Sequence, residues 1–273
     1  MNRKNRNNAL KMLAALLIIA IHISPFYIMI NMSLKDESDL SSRWMPALKP
    51  YFQNYAHAMA QGNLLQAIFN TLIIVLFSVL IIVVAGAMAA YPLSRHTTRK
   101  NKIILAVIVG VMMVPHLSVL VPLYKEMVAL GGINQYWGII LISATYHLPM
   151  SIYMYTNFIG TVPKELDEAA LIDGCSRLGV FFKIILPNLK ATTTSIVILT
   201  GVGIWNDYQF QLYFLQKMRM RTITLAMTTF FTDTKQDMGA AAAAAFIVVI
   251  LPIAIYISLQ KYFVKGAMDS AVK

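Results

Sequence analysis

The sequence has few charged residues and a single cysteine. Of its 273 residues, 13% are charged and 58% are hydrophobic, whereas a soluble domain has roughly 25% charged residues. A soluble chain of this composition would need a very large core, so a lipid bilayer is the better solvent for it. Cys175 alone can form neither an internal disulfide nor a metal site with several thiolates.

Two motifs that carry chemistry are missing from the chain. No segment fits GxxxxGK[ST], so any ATP that drives the protein must be bound by another polypeptide. HExxH is absent too, and His22, His116 and His147 lie in apolar runs with no acid nearby in sequence, which favours ordinary hydrogen-bonded histidines over a metal site. No nucleophile, base or metal cluster converges by motif, so we expect neither an enzyme nor a cofactor bound by this chain.

Long apolar runs are the main feature of the sequence. A membrane-spanning helix needs about 20 mostly apolar residues, and helices satisfy their own backbone polar groups inside a bilayer. The prolines within the runs are expected to kink, break or end the helices. The fold class predicted is an all-α membrane protein with six spans, at residues 12–32, 67–93, 103–124, 136–159, 192–214 and 240–260.

The basic residues predict how the chain is oriented. The N-terminal run MNRKNRNN precedes an apolar segment with no small-residue cleavage site, which indicates an uncleaved first span. With the N-terminus in the cytoplasm, fifteen of the 23 lysine and arginine residues fall on the cytoplasmic side, as the positive-inside rule requires. Residues 1–11 and the tail 261–273 are then cytoplasmic, and 12–260 form the membrane domain. One predicted outer loop is also basic, with Lys217, Arg219, Arg221 and Lys235.

Four of the twelve carboxylates occur in the stretch ELDEAALIDG, inside a predicted cytoplasmic loop, residues 160–190, named here the acidic loop. Pro163 stands where a helix could begin, and the acids that follow suit the positive end of a helix dipole. Gly174 permits a turn, and apolar residues at helical spacing, Leu178, Phe181, Phe182 and Ile185, predict a second helix that Pro187 ends. The residues alone fit either a docking element or an amphipathic hairpin that merely joins two spans.

The segment EAALIDGCSRLGVFFKIILP resembles the EAA loop of permease subunits in ABC importers. The resemblance extends to the maltose-type carbohydrate permeases, and in particular to the smaller of their two membrane subunits, through NMSLKDESD, NTLIIV, AAYPLSR, VPLYKEMVALGGINQYWGIIL, WNDYQFQLYFL and QKYFVKG. Two segments depart from the family pattern. Residues 209–212 lack the proline that the family more often carries there, and residues 266–270 differ from the usual ending.

The resemblance implies a type I ABC importer permease in the inner membrane of a prokaryote. The acidic loop would be the coupling helix that fits a groove on a cytoplasmic ATPase. A second permease subunit, two ATP-binding cassette subunits that carry ATP and Mg²⁺, an extracytoplasmic sugar-binding protein and membrane lipid are the implied partners, with no nucleic acid. The coupling residues are expected to be Glu165, Glu168, Ala169, Ala170, Asp173, Gly174, Leu178 and Pro187.

Ionisable residues are scarce within the predicted spans, where Asp207 is the one acidic or basic residue. This scarcity argues against ion coupling and suits a neutral solute such as a sugar. Aromatic faces beside polar groups match the surfaces of a sugar. The candidate substrate path therefore comprises Tyr146, His147, Tyr153, Trp205, Asn206, Asp207 and Gln209.

Each of these assignments has an alternative. The aromatic residues could instead belong to the interfacial aromatic belt. The other hypotheses for the transported solute are an anionic saccharide and glycerol phosphate, and the other hypothesis for the mechanism is an ion-coupled secondary carrier.

Gly86 and Ala90 have the small-xxx-small spacing of a close helix contact.

Overall fold

The computed structural model describes residues 3–232 and 235–271. Residues 1–2 and 272–273, at the ends of the predicted cytoplasmic segments, lie outside the described residues. The helices and strands are α1 (Arg3–Ser33), α2 (Gln53–Gln61), α3 (Leu64–Arg95), α4 (Arg99–Val111), α5 (Leu120–Ala129), α6 (Tyr136–Thr161), α7 (Glu165–Ile172), α8 (Arg177–Val180), α9 (Leu186–Asn188), α10 (Lys190–Trp205), α11 (Gln209–Phe214), α12 (Ile223–Met227), β1 (Phe231–Thr232), β2 (Lys235–Gln236) and α13 (Met238–Ala271).

Among the described residues, three single helices are long and apolar enough to cross a membrane, at Leu10–Ser33, Leu64–Arg95 and Met238–Ser258. Two bent helix pairs raise the number to five if each pair forms one span. The predicted span 136–159 lies in α6, a helix of 26 residues that is not among these apolar helices. Many residues of α6 are buried in the protein, so this helix needs less apolar surface than one surrounded by lipid.

The predicted span 103–124 is not one continuous helix, and it breaks at Pro115, one of the prolines expected to kink, break or end the spans. It consists of Arg99–Val111 and His116–Ala129, which meet at an angle of 96°. Pro115 lies at the break with an extended ψ of 136°. Proline has no backbone N–H to donate to the preceding helix, so a break at this position costs no hydrogen bond from its own N–H. By contrast, Pro25, Pro92, Pro149 and Pro252 lie inside continuous helices.

The predicted span 192–214 is also interrupted. Helix α10 ends at Trp205 and α11 begins at Gln209, so residues 206–208 form a short non-helical connection. The side chain of Asp207 accepts a hydrogen bond from the backbone N–H of Phe210 at 3.3 Å, which satisfies one of the unpaired N–H groups at the start of α11. Asp207 therefore lies at a helix break and not within a continuous span.

The chain divides into two compact units. The first comprises the described parts of Met1–Leu65 and Ala226–Leu251, and buried amides organise it. Asn31 donates to the carbonyls of Arg43 and Met45, and Asn54 donates to those of Ser33 and Lys35. The Lys35 ammonium in turn donates to Ser41 and to the carbonyl of Ser42. Hydrogen bonds from Ser41 hold the pKa of the exposed Asp39 carboxyl below its usual value.

The second unit comprises Gln66–Leu225 and Pro252–Lys273, the latter described as far as residue 271. Helix α6 packs against α4, α10 and α11, and its Tyr155 hydroxyl donates to Thr193 on α10 at 2.8 Å. A cluster of buried apolar side chains lies in this unit and includes Ile74, Ile82, Ile139 and Ile196. The unit holds the acidic loop and the candidate substrate path.

Helices α3 and α6 make the close contact that the spacing of Gly86 and Ala90 predicts. A β-carbon on Gly86 would lie 2.2 Å from Ser151 Oγ and 3.0 Å from Ser151 Cβ, and the Ser151 hydroxyl donates to the carbonyl of Ile82 at 3.1 Å. Ala90 is completely buried. The two small residues thus allow the backbones of α3 and α6 to approach each other.

We expect Gly86→Ala to destabilise the protein, because overpacking a well-packed interior typically costs about 1–3 kcal/mol. The measurement is the midpoint of thermal unfolding in detergent. Ser151→Ala removes the nearest atom, so the loss should be smaller when Gly86→Ala is introduced into that background. Gly110→Ala is the matched control, since a β-carbon there meets nothing within 4 Å. Equal effects at Gly86 and Gly110 would contradict the prediction.

Candidate functional site

The acidic loop forms two short helices joined by a glycine turn, as the sequence predicts. Glu165, Asp167 and Glu168 stand in the first turn of α7, Asp173 lies just after its last residue, and Gly174 follows with a φ of +83°. This value lies in the left-handed region that glycine adopts without steric cost. Ser176 then caps α8 by accepting a hydrogen bond from the N–H of Gly179 at 3.1 Å. The turn therefore redirects the chain at a defined point.

The residues predicted to couple to a partner fall on two sides of α7. Glu165, Glu168, Ala169 and Asp173 are exposed, and no hydrogen bond or ion pair within the described part of the chain engages the three acidic side chains. Ala170, in contrast, is buried in the core of its own unit. Glu168 and Ala169 are therefore free to contact another protein, whereas Ala170 lets α7 lie close to its own core.

The second helix of the loop is less regular than its periodicity predicts. Residues Phe181–Ile185 form a π-helical turn, in which hydrogen bonds join residues five apart. Phe181 and Ile185 are buried, whereas Leu178 and Phe182 are more than half exposed, so the predicted single apolar face is divided. Pro187 lies within α9, which ends one residue later at Asn188, and the chain bends by 72° into α10.

Asp167 is the acid of the loop that faces inward. Its carboxylate accepts two hydrogen bonds from Arg95, at 2.8 Å from Nη2 and 2.9 Å from Nε, and one from the Tyr91 hydroxyl at 2.9 Å. Arg95 Nη1 also donates to the carbonyls of Ile159 and Val162, at 3.1 and 2.8 Å. Arg95 is the last residue of α3, so one guanidinium joins α7 to the ends of α3 and α6.

A polar cavity of about 230 Å³ lies among α6, α10 and the start of α11. Tyr146, His147 and Asp207, three members of the predicted substrate path, line it together with His116. The rings of His116 and Tyr146 are in contact, with centroids 3.8 Å apart and planes tilted by 38°. Asp207 Oδ2 is buried with no hydrogen-bond partner among the described residues, so the hydrogen-bonding capacity of this carboxylate oxygen is unfilled.

A larger apolar cavity of about 490 Å³ shares Tyr146, His147 and Phe210 with the polar cavity. Aromatic faces and hydrogen-bonding groups are thus placed side by side. Gly203 permits this arrangement, because a β-carbon on it would lie 2.9 Å from Cε1 of the His147 ring. The combination can contact the apolar face of a small polar solute and also bind its hydroxyl groups.

The remaining members of the predicted substrate path lie elsewhere. Trp205 is buried and lines an apolar cavity with Val75 and Tyr256. Asn206 and Gln209 are exposed, and the Asn206 amide donates back to the carbonyl of Val202. Tyr153 is also exposed and does not line either cavity near Tyr146. Neighbours in sequence at the end of α10 therefore point to different sides of the helix.

The basic loop after α11 is fixed to α3 by one buried amide. Asn70 donates to the carbonyls of Arg219 and Arg221, at 2.9 and 2.8 Å. The oxygen of the same amide accepts from Tyr136 and Gln66, at 2.6 and 2.8 Å. All four hydrogen-bonding positions of the Asn70 side chain are occupied, so the backbone of the basic loop is held in place.

Three side chains that the structure places at these sites were not among the predicted site residues. From the sequence, Arg95 counts only as a charge that sets orientation, Asp167 only as one of the acids of the loop, and His116 only as a histidine in an apolar run. Tyr91 and Arg95 are four residues apart, which places both on one face of α3, and this spacing was the available signal for Arg95. No cluster of histidine, cysteine or acidic residues suited to a metal ion occurs among the described residues.

Apolar broken helices, an acidic loop fixed to helix ends and a polar cavity between helices together define a membrane transport subunit of the all-α class. A comparison with family models gives the family. The chain belongs to the binding-protein-dependent transport system inner membrane component family, whose model matches residues 82–268. This confirms the resemblance to ABC importer permeases and places the chain in the inner membrane, as a transport component and not an enzyme.

Similar proteins span nearly the whole chain. The melibiose/raffinose/stachyose import permease protein MelC of Bacillus subtilis is 39% identical over 262 residues, covering 96% of this chain and 95% of that protein. The probable starch degradation products transport system permease protein AmyC of Thermoanaerobacterium thermosulfurigenes is 35% identical and covers 92% of each chain. A crystal structure of a bacterial ABC transporter involved in alginate import has the same fold, with a TM-score of 0.83 at 18% identity over 96% of this chain and 99% of that chain.

Proposed function

We propose that this chain is the permease subunit of an ATP-driven importer for a neutral sugar or oligosaccharide, and that the acidic loop couples it to a cytoplasmic ATPase. The observation that carries the proposal is the structure of α7, which exposes Glu168 and Ala169 while Asp167 fixes its inner side. A partner can dock on the exposed side because small and acidic residues there admit a basic, closely fitting surface.

The proposed assembly contains a second permease subunit, two ATPase subunits that bind ATP and Mg²⁺, and an extracytoplasmic binding protein. Both termini and the acidic loop are cytoplasmic. Closure of the ATPase subunits on ATP moves the acidic loops, and the two permease subunits then open outward to receive the solute. Two states, each favoured by a different ligand, are what coupled transport requires.

The polar cavity supports a sugar as the transported solute. Sugars present hydroxyl groups to acceptors such as Asp207 Oδ2 and apolar ring faces to aromatic side chains such as Tyr146. A buried carboxylate oxygen repels anions, so a neutral solute fits this cavity better than an acidic one. The similarity to MelC makes melibiose and raffinose the first sugars to test.

An anionic saccharide is the second candidate, because Lys217 and Arg219 are exposed on the basic loop. Competition distinguishes the two. If unlabelled neutral oligosaccharides reduce uptake of labelled raffinose and acidic ones do not, the neutral candidate is supported. Competition by acidic oligosaccharides alone would favour the second.

The experiment that tests the function is affinity purification of this chain, tagged at its N-terminus, from cells that express it with its genomic neighbours. We expect a second permease and an ATPase subunit to co-purify, and the complex in liposomes to take up sugar only with ATP inside and loaded binding protein outside. Uptake by a complex that lacks an ATPase subunit would contradict the proposal and favour an ion-coupled carrier.

A further inference from the structure

A buried ion pair joins the acidic loop to the membrane helices. Both partners are almost fully enclosed, with 7% of the Arg95 side chain and 12% of the Asp167 side chain exposed. The planar guanidinium meets the carboxylate through two parallel hydrogen bonds of 2.8 and 2.9 Å. Such forked pairs fix orientation as well as distance, so α7 cannot rotate against the end of α3 without breaking them.

The same guanidinium also reaches α6. Its Nη1 donates to the carbonyls of Ile159 and Val162 at the C-terminal end of that helix, where carbonyl groups have no partner within the helix. The Tyr91 hydroxyl completes the shell around Asp167, and the Tyr91 ring packs on Phe181 of the second helix, with centroids 5.6 Å apart. Both helical parts of the acidic loop are thus attached to α3.

We propose that Arg95 and Asp167 are positioning residues that transmit movement of the acidic loop to α3 and α6. The inference rests on the proposed function, because it concerns how the docked loop moves the permease. Without this pair, α7 is attached to the bundle by the packing of the small Ala170 side chain, which fixes no orientation, and by the chain itself at residues 162–164 and after Gly174. Those connections can bend, so displacement of α7 by a partner would be absorbed in the connections and not passed to the helices.

The position of the pair separates this role from docking. Asp167 faces inward, whereas Glu168, the next residue, faces out. Removing the pair therefore leaves the surface offered to an ATPase subunit largely intact. A variant that lacks the pair should bind its ATPase subunits and yet fail to use them, which is uncoupling and not loss of assembly.

The test uses the whole transport complex with Arg95→Lys and Asp167→Asn in this chain. Arg95→Lys keeps the positive charge but loses the fork, since lysine acts as a point charge. We expect the ATPase subunits to co-purify in normal amounts and basal ATP hydrolysis to persist. Stimulation by loaded binding protein and sugar uptake per assembled complex should fall at least tenfold. Arg99→Lys is the matched control, because Arg99 is exposed four residues further on, and it should behave as wild type.

Normal uptake and stimulation per assembled complex in both variants would overturn the inference. So would a loss of uptake explained entirely by a lower yield of complex, because the pair would then only stabilise the fold. If Asp167→Asn prevents assembly, the Arg95→Lys variant alone decides the question, through its sugar uptake and its stimulation of ATP hydrolysis per assembled complex. Absence of an ATPase subunit from the wild-type complex would instead refute the proposed function, so the two failures can be distinguished.

Discussion

Glu168→Lys is expected to reduce ATP-dependent sugar uptake to the background level, because it reverses the charge at the centre of the exposed side of α7. Juxtaposed like charges at an interface cost several kcal/mol, and a loss of about 3 kcal/mol corresponds to roughly a hundredfold weaker docking. The amount of ATPase subunit that co-purifies should fall in parallel with uptake. Because Glu168 is exposed and has no hydrogen bond or ion pair within the described part of the chain, the permease itself should fold normally.

Glu126→Lys is the matched control for this charge reversal. Glu126 is an exposed acid on α5, and its replacement changes the net charge of the chain by the same amount. Uptake by this variant should stay close to that of the wild type. Normal uptake and normal ATPase content in Glu168→Lys would contradict the docking role of the acidic loop. If the ATPase subunit is lost from the Glu168→Lys complex but retained in the Asp167→Asn complex, the docking role of Glu168 is separated from the transmission role of Asp167.

Gly203→Ala is expected to reduce uptake by roughly tenfold, the effect of weakening solute binding in the polar cavity by about 1.4 kcal/mol. The new β-carbon would lie 2.9 Å from His147 Cε1, so the His147 ring, which lines the polar cavity, must shift. The solute would then meet a site of altered shape. Stimulation of ATP hydrolysis by loaded binding protein should persist, because the acidic loop is unchanged.

Gly201→Ala provides a closely matched control on the same helix. A β-carbon there would lie 3.9 Å from the nearest atoms, in Val75 and Val79, which is ordinary van der Waals contact. Both replacements gain the same intrinsic helix propensity, about 1 kcal/mol, so the difference in uptake per assembled complex reports the displacement of the His147 ring. Equal uptake in the two variants would exclude the polar cavity from the substrate path.

The sequence was sufficient to predict the long helices, because hydropathy follows directly from contact with lipid. Residues 12–32, 67–93 and 240–260 lie within α1, α3 and α13. Hydropathy alone could not locate the helix breaks, since it is an average over many residues and takes no account of which way the chain turns. A helix break contains Pro115, whereas α6 continues through Pro149, so the presence of a proline does not by itself distinguish the two cases.

The candidate site shows a similar division. The acidic loop, its glycine turn and its first helix followed from local chemistry, namely charge at a helix N-terminus and a positive φ at Gly174. Local chemistry could not show which acid of the loop faces inward, because this is decided by Arg95, more than 70 residues earlier in the chain. Likewise Trp205 and Asp207 are nearly adjacent in sequence, yet they line different cavities.

The amide of Asn70 has a consequence for how this chain can vary in evolution. This amide donates two hydrogen bonds and accepts two, and its partners lie on three separate segments. Aspartate lacks the donors, leucine lacks both functions, and glutamine carries the amide one methylene too far out. No single exchange reproduces all four bonds, so a lineage could replace this side chain only by altering Gln66, Tyr136 and the basic loop in concert. We would therefore expect these positions to covary.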